Sequence, residues 1–275
     1  MKRIIAIFIF SFLLSFSFAQ NIGQKGDTLV NYTDINGLKQ GKWKKQYKNG
    51  KTAYNANFKN DKLIGLYQRY YTSGKISLEV NYNDDEAGYA KIYYDDGILA
   101  SEGKYIERNV RDSLWKFYSV DGALIIELNY TKGIPNGKEL RYWRNGKIME
   151  EKNWVNGKQN GLWAQYFENG RERLKTRMIN DKRNGVYYVY YPNGNYYLKG
   201  KYKNNLRVGH WTFYDTYNNI TRDTEYTNGI AADQDEIDAK TTKEIEEWDK
   251  MKGVIPNPNI ENMLYYDKKY RPLSK

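Results

Sequence analysis

The sequence predicts an all-β fold: an elongated single meander of about eight stacked antiparallel β-hairpins, closed at the C-terminal end by a capping α-helix. Three observations carry this expectation. A unit of about 24 residues recurs eight times, a second glycine follows nine residues after the one opening each unit, and aromatic residues return at fixed places between them. With the opening residue as position zero, the series runs Gly41, Gly65, Gly88, Ser113, Gly137, Gly161, Gly185 and Gly209, at spacings of 24, 23, 25, 24, 24, 24 and 24. A fixed period in this range means stacked supersecondary units, each stabilised chiefly by its neighbours.

The second glycine marks a turn. It falls at Gly50, Gly74, Gly97, Gly122, Gly146, Gly170 and Gly194, with Asn218 in the last unit, and Asn or Asp precedes it in most units. Such pairs supply the two positive φ angles of a two-residue type I′ turn, and Asn218 tolerates the left-handed region. A turn at positions 8 and 9 pairs position 6 with 11, 4 with 13, 2 with 15 and zero with 17. Position 2 is Trp43, Tyr67, Trp115, Trp163, Tyr187 or Trp211 in six units, with Ala90 and Glu139 in two others. Position 6 includes Tyr47, Tyr71, Tyr94, Trp143, Phe167 and Tyr191; position 11 includes Ile76, Leu99, Leu124, Ile148 and Ile220. Position 17 is aromatic in seven units and is Met178 in the sixth. This register places all of them on one face as an apolar spine, a pattern that no helical period satisfies on both strands. Short polar links such as Asn156 to Asn160 make consecutive hairpins neighbours in one sheet.

The opposite face carries the candidate binding residues. Position 5 is tyrosine in seven units: Tyr70, Tyr93, Tyr118, Tyr142, Tyr166, Tyr190 and Tyr214. Tyrosine offers a flat apolar surface with a polar tip, suited to protein or glycan contact; cross-strand packing on a half-solvated face is the structural alternative. Glu79, Glu102, Glu127 and Glu151 share position 14 of this face. Strands two apart lie ~10 Å from one another, outside glycosidase carboxylate spacing, so salt bridges to lysine and arginine are the expected role. The single histidine, His210, lacks the company of a metal or catalytic site and reads as a surface residue. No catalytic residue, metal site or cofactor is expected.

Composition narrows the class. No cysteine is present, which excludes disulfides, thiolate metal sites and a cysteine nucleophile. The net charge is +11, and residues 20–232 carry all of it once the Lys2-Arg3 start and the acidic tail are set apart. A basic surface favours acidic partners, while lysine-rich strands also discourage edge-to-edge aggregation.

The ends differ from the repeat. Residues 1–19 combine a basic start, an apolar run from Ile4 to Phe18 and the small-x-small sequence Ser17-Phe18-Ala19, and read as a signal peptide. Residues 20–31 are expected to be disordered, and 32–232 to form the repeat domain, with Tyr32 in an edge strand. Residues 233–275 are expected to form a helix and an extended tail. In that helix Ile237, Thr241, Ile245, Trp248 and Lys252 share a stripe, Asp233 or Asp235 serves as N-cap, and Ile245 and Trp248 cover the last hairpin.

The Gly-x-Trp-x-x-Tyr-Tyr-x-x-Gly core, followed by Asn-Gly-Lys, resembles the MORN repeat in its bacterial variant form, over about residues 32–230. Gly161 to Gly170 and Gly185 to Gly194 fit closely. Ala90, Ser113 and Glu139 depart from the pattern, so local distortion is expected in units three to five. The resemblance implies stacked hairpins and a role in scaffolding, protein contact or membrane-surface contact; bacterial members are often labelled antitoxins. Choline-binding cell-wall modules share aromatic hairpins with glycine turns, but at a period nearer twenty residues. The functional expectation is therefore an exported, non-enzymatic scaffold, periplasmic or extracellular, binding a protein or envelope component of acidic character. The alternatives are a glycan or anionic cell-wall binder and a toxin-neutralising immunity protein. Nucleic acid is not expected as a partner, no span remains after signal cleavage, and the ribbon ends are free for edge-to-edge self-association.

Overall fold

The computed structural model describes residues 29–250. The expected signal peptide and extended tail lie outside them. Within them, strands from Tyr32–Thr33 to Ile230–Ala231 follow one another in a single antiparallel meander, and the helix Gln234–Lys250 follows. The regular strands are six to nine residues long, and each pairs with its neighbours in sequence. The all-β meander with one C-terminal helix is the expected class. No helix among the described residues is long and apolar enough to cross a membrane.

The two kinds of turn are the reverse of the expectation. At position 9 every unit has a positive φ, from 79° at Gly146 to 97° at Gly97 and Gly194 among the glycines and 70° at Asn218, but position 8 does not. The N–H of position 9 donates to the carbonyl of position 6, and the N–H of position 6 donates to the carbonyl of position 10, as in Gly170 to Phe167 (2.8 Å) and Phe167 to Arg171 (2.8 Å). This is a three-residue loop, a type I turn closed by a left-handed residue. The paired positive φ angles of type I′ turns occur instead between the units, at Asn60-Asp61, Asn156-Gly157, Asn180-Asp181 and Asn204-Asn205. Strands therefore run into what the sequence presents as a link: Ile148–Val155 and Lys158–Tyr166 are separated by two residues only.

The extra turn residue moves the register by one, so position 5 pairs with 11, as in Tyr70↔Ile76 and Tyr190↔Tyr196. A bulge at position 12 absorbs the shift, and position 4 pairs with 13, 2 with 15 and zero with 17 as expected: Arg69↔Leu78, Tyr67↔Val80, Gly65↔Tyr82. One assignment is thereby corrected. Ile76, Leu99, Leu124, Ile148 and Ile220 stand across from the position-5 tyrosines and share their face, not the spine.

The opening glycine also has a specific reason. Between units the pairing jumps, as from Lys152↔Trp163 to Trp154↔Gln159, so Asn160, Gly161 and Leu162 bulge opposite Asn153. Gly161 takes φ +111 there. The bulge leaves the Leu162 carbonyl without a ladder partner, and Asn153 Nδ2 donates to it at 3.1 Å. Asn129 does the same for Lys138 at 2.9 Å. Ser113 holds the equivalent position at φ +60, a conformation that costs a non-glycine residue about 1–3 kcal/mol.

The spine face contains the buried cluster around Ala56, Val80, Ala90 and Trp115 and a second around Leu198, Tyr202, Trp211 and Tyr226. Trp115 lies against Gly103 and Trp211 against Gly200; a Cβ at either glycine would come within 2.4–2.7 Å of indole carbons. Units are further tied where position 6 is tyrosine or tryptophan, whose polar tip donates to a carbonyl of the next unit. Tyr47 reaches Tyr70 O (2.6 Å), Tyr71 reaches Tyr93 O (2.6 Å), Tyr94 reaches Tyr118 O (2.8 Å) and Trp143 reaches Tyr166 O (3.1 Å).

The ends depart from expectation in two ways. Val30 and Asn31, placed in the disordered segment, are held against the first long strand: Val30 bridges Lys42 in parallel, and Asn31 N–H donates to Lys42 O at 2.9 Å. The helix docks only by its first turn. Asp233 precedes it, its carboxylate held by Thr224 and Arg222, and Ile237 packs on the second cluster. Ile245 and Trp248 are exposed and do not cover the last hairpin, because the helix leaves the sheet before its stripe reaches them.

Candidate functional site

All seven position-5 tyrosines lie on one face, opposite the spine, and all seven are half-buried. Alternation places them there, and the first part of the register, 5 with 11, packs each ring beside the returning strand. The hydroxyls of Tyr70, Tyr93, Tyr118 and Tyr142 are engaged within the sheet. Tyr93 donates to Glu79 (3.1 Å), Tyr118 to Glu102 (2.7 Å) and Tyr142 to Glu127 (2.7 Å). In each pair the acceptor is the position-14 glutamate of the preceding unit. Tyr70 meets Asn55 there instead and donates to Gln68 (2.9 Å).

The last three rungs change chemistry. Tyr166 faces Glu151, which pairs with Lys138 at 2.8 Å. Tyr190 stacks on Tyr196 at 4.9 Å between centroids. Lys199 sits 3.7 Å above Tyr196 and 5.3 Å from Tyr214. The face thus runs from a tyrosine–carboxylate ladder in units three to five to a tyrosine–lysine stack in units seven and eight.

The electrostatics follow from burial and these partners. Partial burial, then the Glu127 hydrogen bond and charge, push the Tyr142 phenol up to about 12. Tyr93, Tyr118, Tyr166 and Tyr190 are raised in the same way, with burial the first cause in each. The ladder tyrosines so perturbed are neutral hydrogen-bond donors at neutral pH. The glutamates were expected to serve in salt bridges, and two do: Glu127 with Lys116 at 3.7 Å and Glu151 with Lys138. Accepting from tyrosine is the more regular role.

Two features of the structure were not found by reading the sequence. The first is a stripe of exposed apolar side chains at position 1, beside the tyrosine ladder: Leu66 (47% exposed), Tyr89 (53%), Leu114 (39%) and Val186 (49%). The signal was present as recurring Leu, Tyr and Val straight after the opening residue. The second is a polar seam across the spine in units five and six. Glu139, standing where other units have tryptophan, is 3% exposed and accepts from Arg141 Nε and Trp154 Nε1, both at 2.7 Å. Glu150 is 9% exposed and accepts from Trp163 Nε1 (2.9 Å), Gln165 Nε2 (3.0 Å) and Lys152 Nζ (2.8 Å). Burial alone would raise the Glu150 carboxyl, but these donors and the Lys152 charge together hold it below its ordinary value. Charged neighbours at positions 2, 4, 13 and 15 of one unit were the available signal. His210 is exposed, with Nδ1 3.7 Å from Asp223 Oδ2.

Comparison with known proteins finds a repeat family over part of the chain. Five segments match the family model described as the MORN repeat variant: residues 39–60, 63–84, 87–107, 135–156 and 183–204. They coincide with units one, two, three, five and seven. Ala90 and Glu139 thus do not remove their units from the match, whereas the unit opened by Ser113 lies outside it, as do units six and eight, although Gly161 to Gly170 was expected to fit closely. Repeats of this kind suggest a scaffold for binding. No curated protein matches the sequence. Among solved structures, a mutant of S. aureus TarM in complex with fondaparinux, α-GlcNAc-glycerol and UDP is 16% identical over 35% of this chain, at a TM-score of 0.27. A second TarM structure is 17% identical over 34%, at 0.26. Each match involves 19% of the TarM chain.

Proposed function

We propose that the protein is an exported, non-enzymatic repeat scaffold that binds a protein or envelope component of acidic character through its tyrosine face. The observation that carries this reading is the coexistence, on one face of the sheet, of the half-buried tyrosine ladder and the exposed stripe Leu66, Tyr89, Leu114 and Val186. Rigid aromatic rings flanked by exposed aliphatic side chains give contact area at small cost in side-chain entropy. Lys199, at position 14 of unit seven, favours acidic groups at that end, whereas Lys175 in unit six is paired with Glu172 at 2.8 Å. Export is supported by the basic start and apolar run at the N-terminus.

Because the hydroxyls of Tyr70, Tyr93, Tyr118 and Tyr142 are bonded within the sheet, removing whole tyrosines tests packing as much as binding. The sharper test uses the exposed stripe. Leu114→Lys and Val186→Lys are expected to leave the thermal midpoint unchanged while weakening capture of an envelope partner by the immobilised protein at least tenfold. Undiminished capture would refute the assignment of this face.

A further inference from the structure

The spine face, away from the tyrosine ladder, has a cationic bay at its C-terminal end, between the type I′ turn at Asn204-Asn205 and the start of the helix. It encloses about 500 Å³ and is lined by Arg183, Arg207, Arg222, Tyr202, Tyr226 and Gln234, among others. Arg183 and Arg207 occupy the same place in consecutive units, two residues before the opening glycine. Each guanidinium is laid over the spine: Arg183 is 4.2 Å from the Tyr202 ring centroid, and Arg207 is 4.6 Å from Trp211 and 5.1 Å from Tyr226. Each also donates to a phenol oxygen, Arg183 to Tyr202 (3.0 Å) and Arg207 to Tyr226 (2.9 Å).

Arg183 Nε also donates to Asn205 Oδ1 at 3.4 Å, and all of these acceptors are neutral. Arg222 is neutralised by Asp233 at 2.8 Å, but among the described residues no carboxylate pairs with Arg183 or Arg207. Tyr202 and Tyr226 are buried, 5% and 6% exposed, and their oxygens accept from arginine while their protons have no acceptor among the described residues. The bay thus presents two uncompensated positive charges and two buried O–H donors. Stacking on aromatic rings fixes the guanidinium planes in advance, which reduces the entropy lost when a ligand is bound. Elsewhere among the described residues a cation at this place stands singly: Lys39 lies over Trp43 and Phe58, and Arg111 lies over Trp115 and Tyr130 with Glu86 and Pro135 in the neighbouring units.

We propose that this bay is a binding site for a doubly charged phosphate group, the terminal phosphate of a phosphomonoester or inorganic phosphate itself. Arginine forks match phosphate oxygens in bidentate geometry, an acceptor-only ligand meets every donor present, and a dianion balances the two free charges. Because the bay and the tyrosine ladder lie on opposite faces, the proposal does not rest on the function assigned above.

The test is calorimetric titration of the full chain with inorganic phosphate and with glycerol phosphate, against acetate and chloride at matched ionic strength. Saturable phosphate binding is expected, weakened tenfold or more by Arg183→Gln and by Arg207→Gln, with acetate binding far more weakly. Equal affinity for glycerol phosphate identifies the ester group as sufficient; binding of inorganic phosphate alone identifies the free ion, and either supports the site. Should a variant fail to fold, the thermal midpoint of the unaltered protein provides the second readout: phosphate should raise it and acetate should not, and a midpoint unmoved by phosphate would overturn the proposal. Absence of saturable phosphate binding, or binding unchanged in both arginine variants, would overturn the proposal.

Discussion

Replacing Glu139 by alanine tests whether the polar seam is a structural part of the spine. Its carboxylate accepts two hydrogen bonds at 2.7 Å, from Arg141 Nε and Trp154 Nε1, and its side chain is 4% exposed while that of Arg141 is 41% exposed. Removing one member of a buried pair costs about 3–5 kcal/mol. Arg141 can rehydrate and lies 3.6 Å from Glu150, which favours the lower end, whereas the Trp154 N–H would be left buried without a partner, itself worth about 1–3 kcal/mol. The expected loss is therefore about 3 kcal/mol, or about 6–12 °C in thermal midpoint for a domain of this size. Urea denaturation followed by tryptophan fluorescence measures it, since Trp154 and Trp163 both report from the seam. In the double variant Glu139→Ala with Arg141→Ala the losses should fall short of additivity by about 1 kcal/mol. A single-variant loss under about 1 kcal/mol would refute the reasoning, for it would mean that water already satisfies these groups. Acidification gives a companion test: the depressed Glu150 carboxyl contributes stability above the ordinary glutamate pKa of about 4.3, lost as pH falls through its lower folded value, and Glu150→Gln should flatten that acid limb.

Four further outcomes are expected. Gly200→Ala, whose Cβ would meet Trp211 at 2.4 Å, should destabilise by about 1–3 kcal/mol through overpacking and alter Trp211 emission; an unchanged midpoint would mean the indole is free to move. Ser113→Gly should stabilise by about 0.5–1 kcal/mol, since the relieved left-handed strain exceeds the entropy glycine adds to the unfolded chain, as read from the urea midpoint. The raised phenol of Tyr142 implies stability fully present below about pH 10 and lost as pH rises toward its folded value of about 12; Tyr142→Phe should reduce this alkaline loss, followed by phenolate absorbance and circular dichroism. Ile245→Ser with Trp248→Ser should change stability by less than about 0.5 kcal/mol, since both side chains are exposed; a loss above 1 kcal/mol would show that the helix covers the sheet after all.

Much of the sheet was legible in advance because period and parity are properties of the chain. Two glycines per unit fixed the hairpin count, and alternation separated the tryptophans of position 2 from the tyrosines of position 5. The turns were misread for a physical reason. Asn-Gly serves a two-residue type I′ turn and a three-residue loop with a left-handed closing residue equally well; the two differ in the φ of the asparagine and in whether the residue before it joins the loop. The actual choice follows from contacts across 24 residues. Asn145 Nδ2 donates to Glu168 O and Lys147 Nζ to Asn169 O, so the Asn-Gly-Lys sequence serves to bind each turn to the next.

The candidate site was legible as a face and not as a set of bonds. That Tyr93, Tyr118 and Tyr142 lie together followed from their spacing; that their hydroxyls are taken up by Glu79, Glu102 and Glu127 required the inter-unit offset, which depends on the bulges. Likewise the single substitution of Glu139 for an aromatic residue looked like a local fault, until its neighbours Arg141, Glu150, Lys152 and Trp154 were seen to converge on it.

The sequence by itself determined the repeat, the number of hairpins, which residues share a face, and where the repeat stops, because each depends on intervals of 2 or 24 residues along one chain. Only the tertiary structure decided which polar groups are spent on the sheet and which remain free. The distinction rests on angles and offsets of a single residue at the turns and bulges. Through them the hydroxyls of Tyr93, Tyr118 and Tyr142 are turned toward glutamates, while Arg183 and Arg207 are laid over aromatic rings with no carboxylate partner among the described residues.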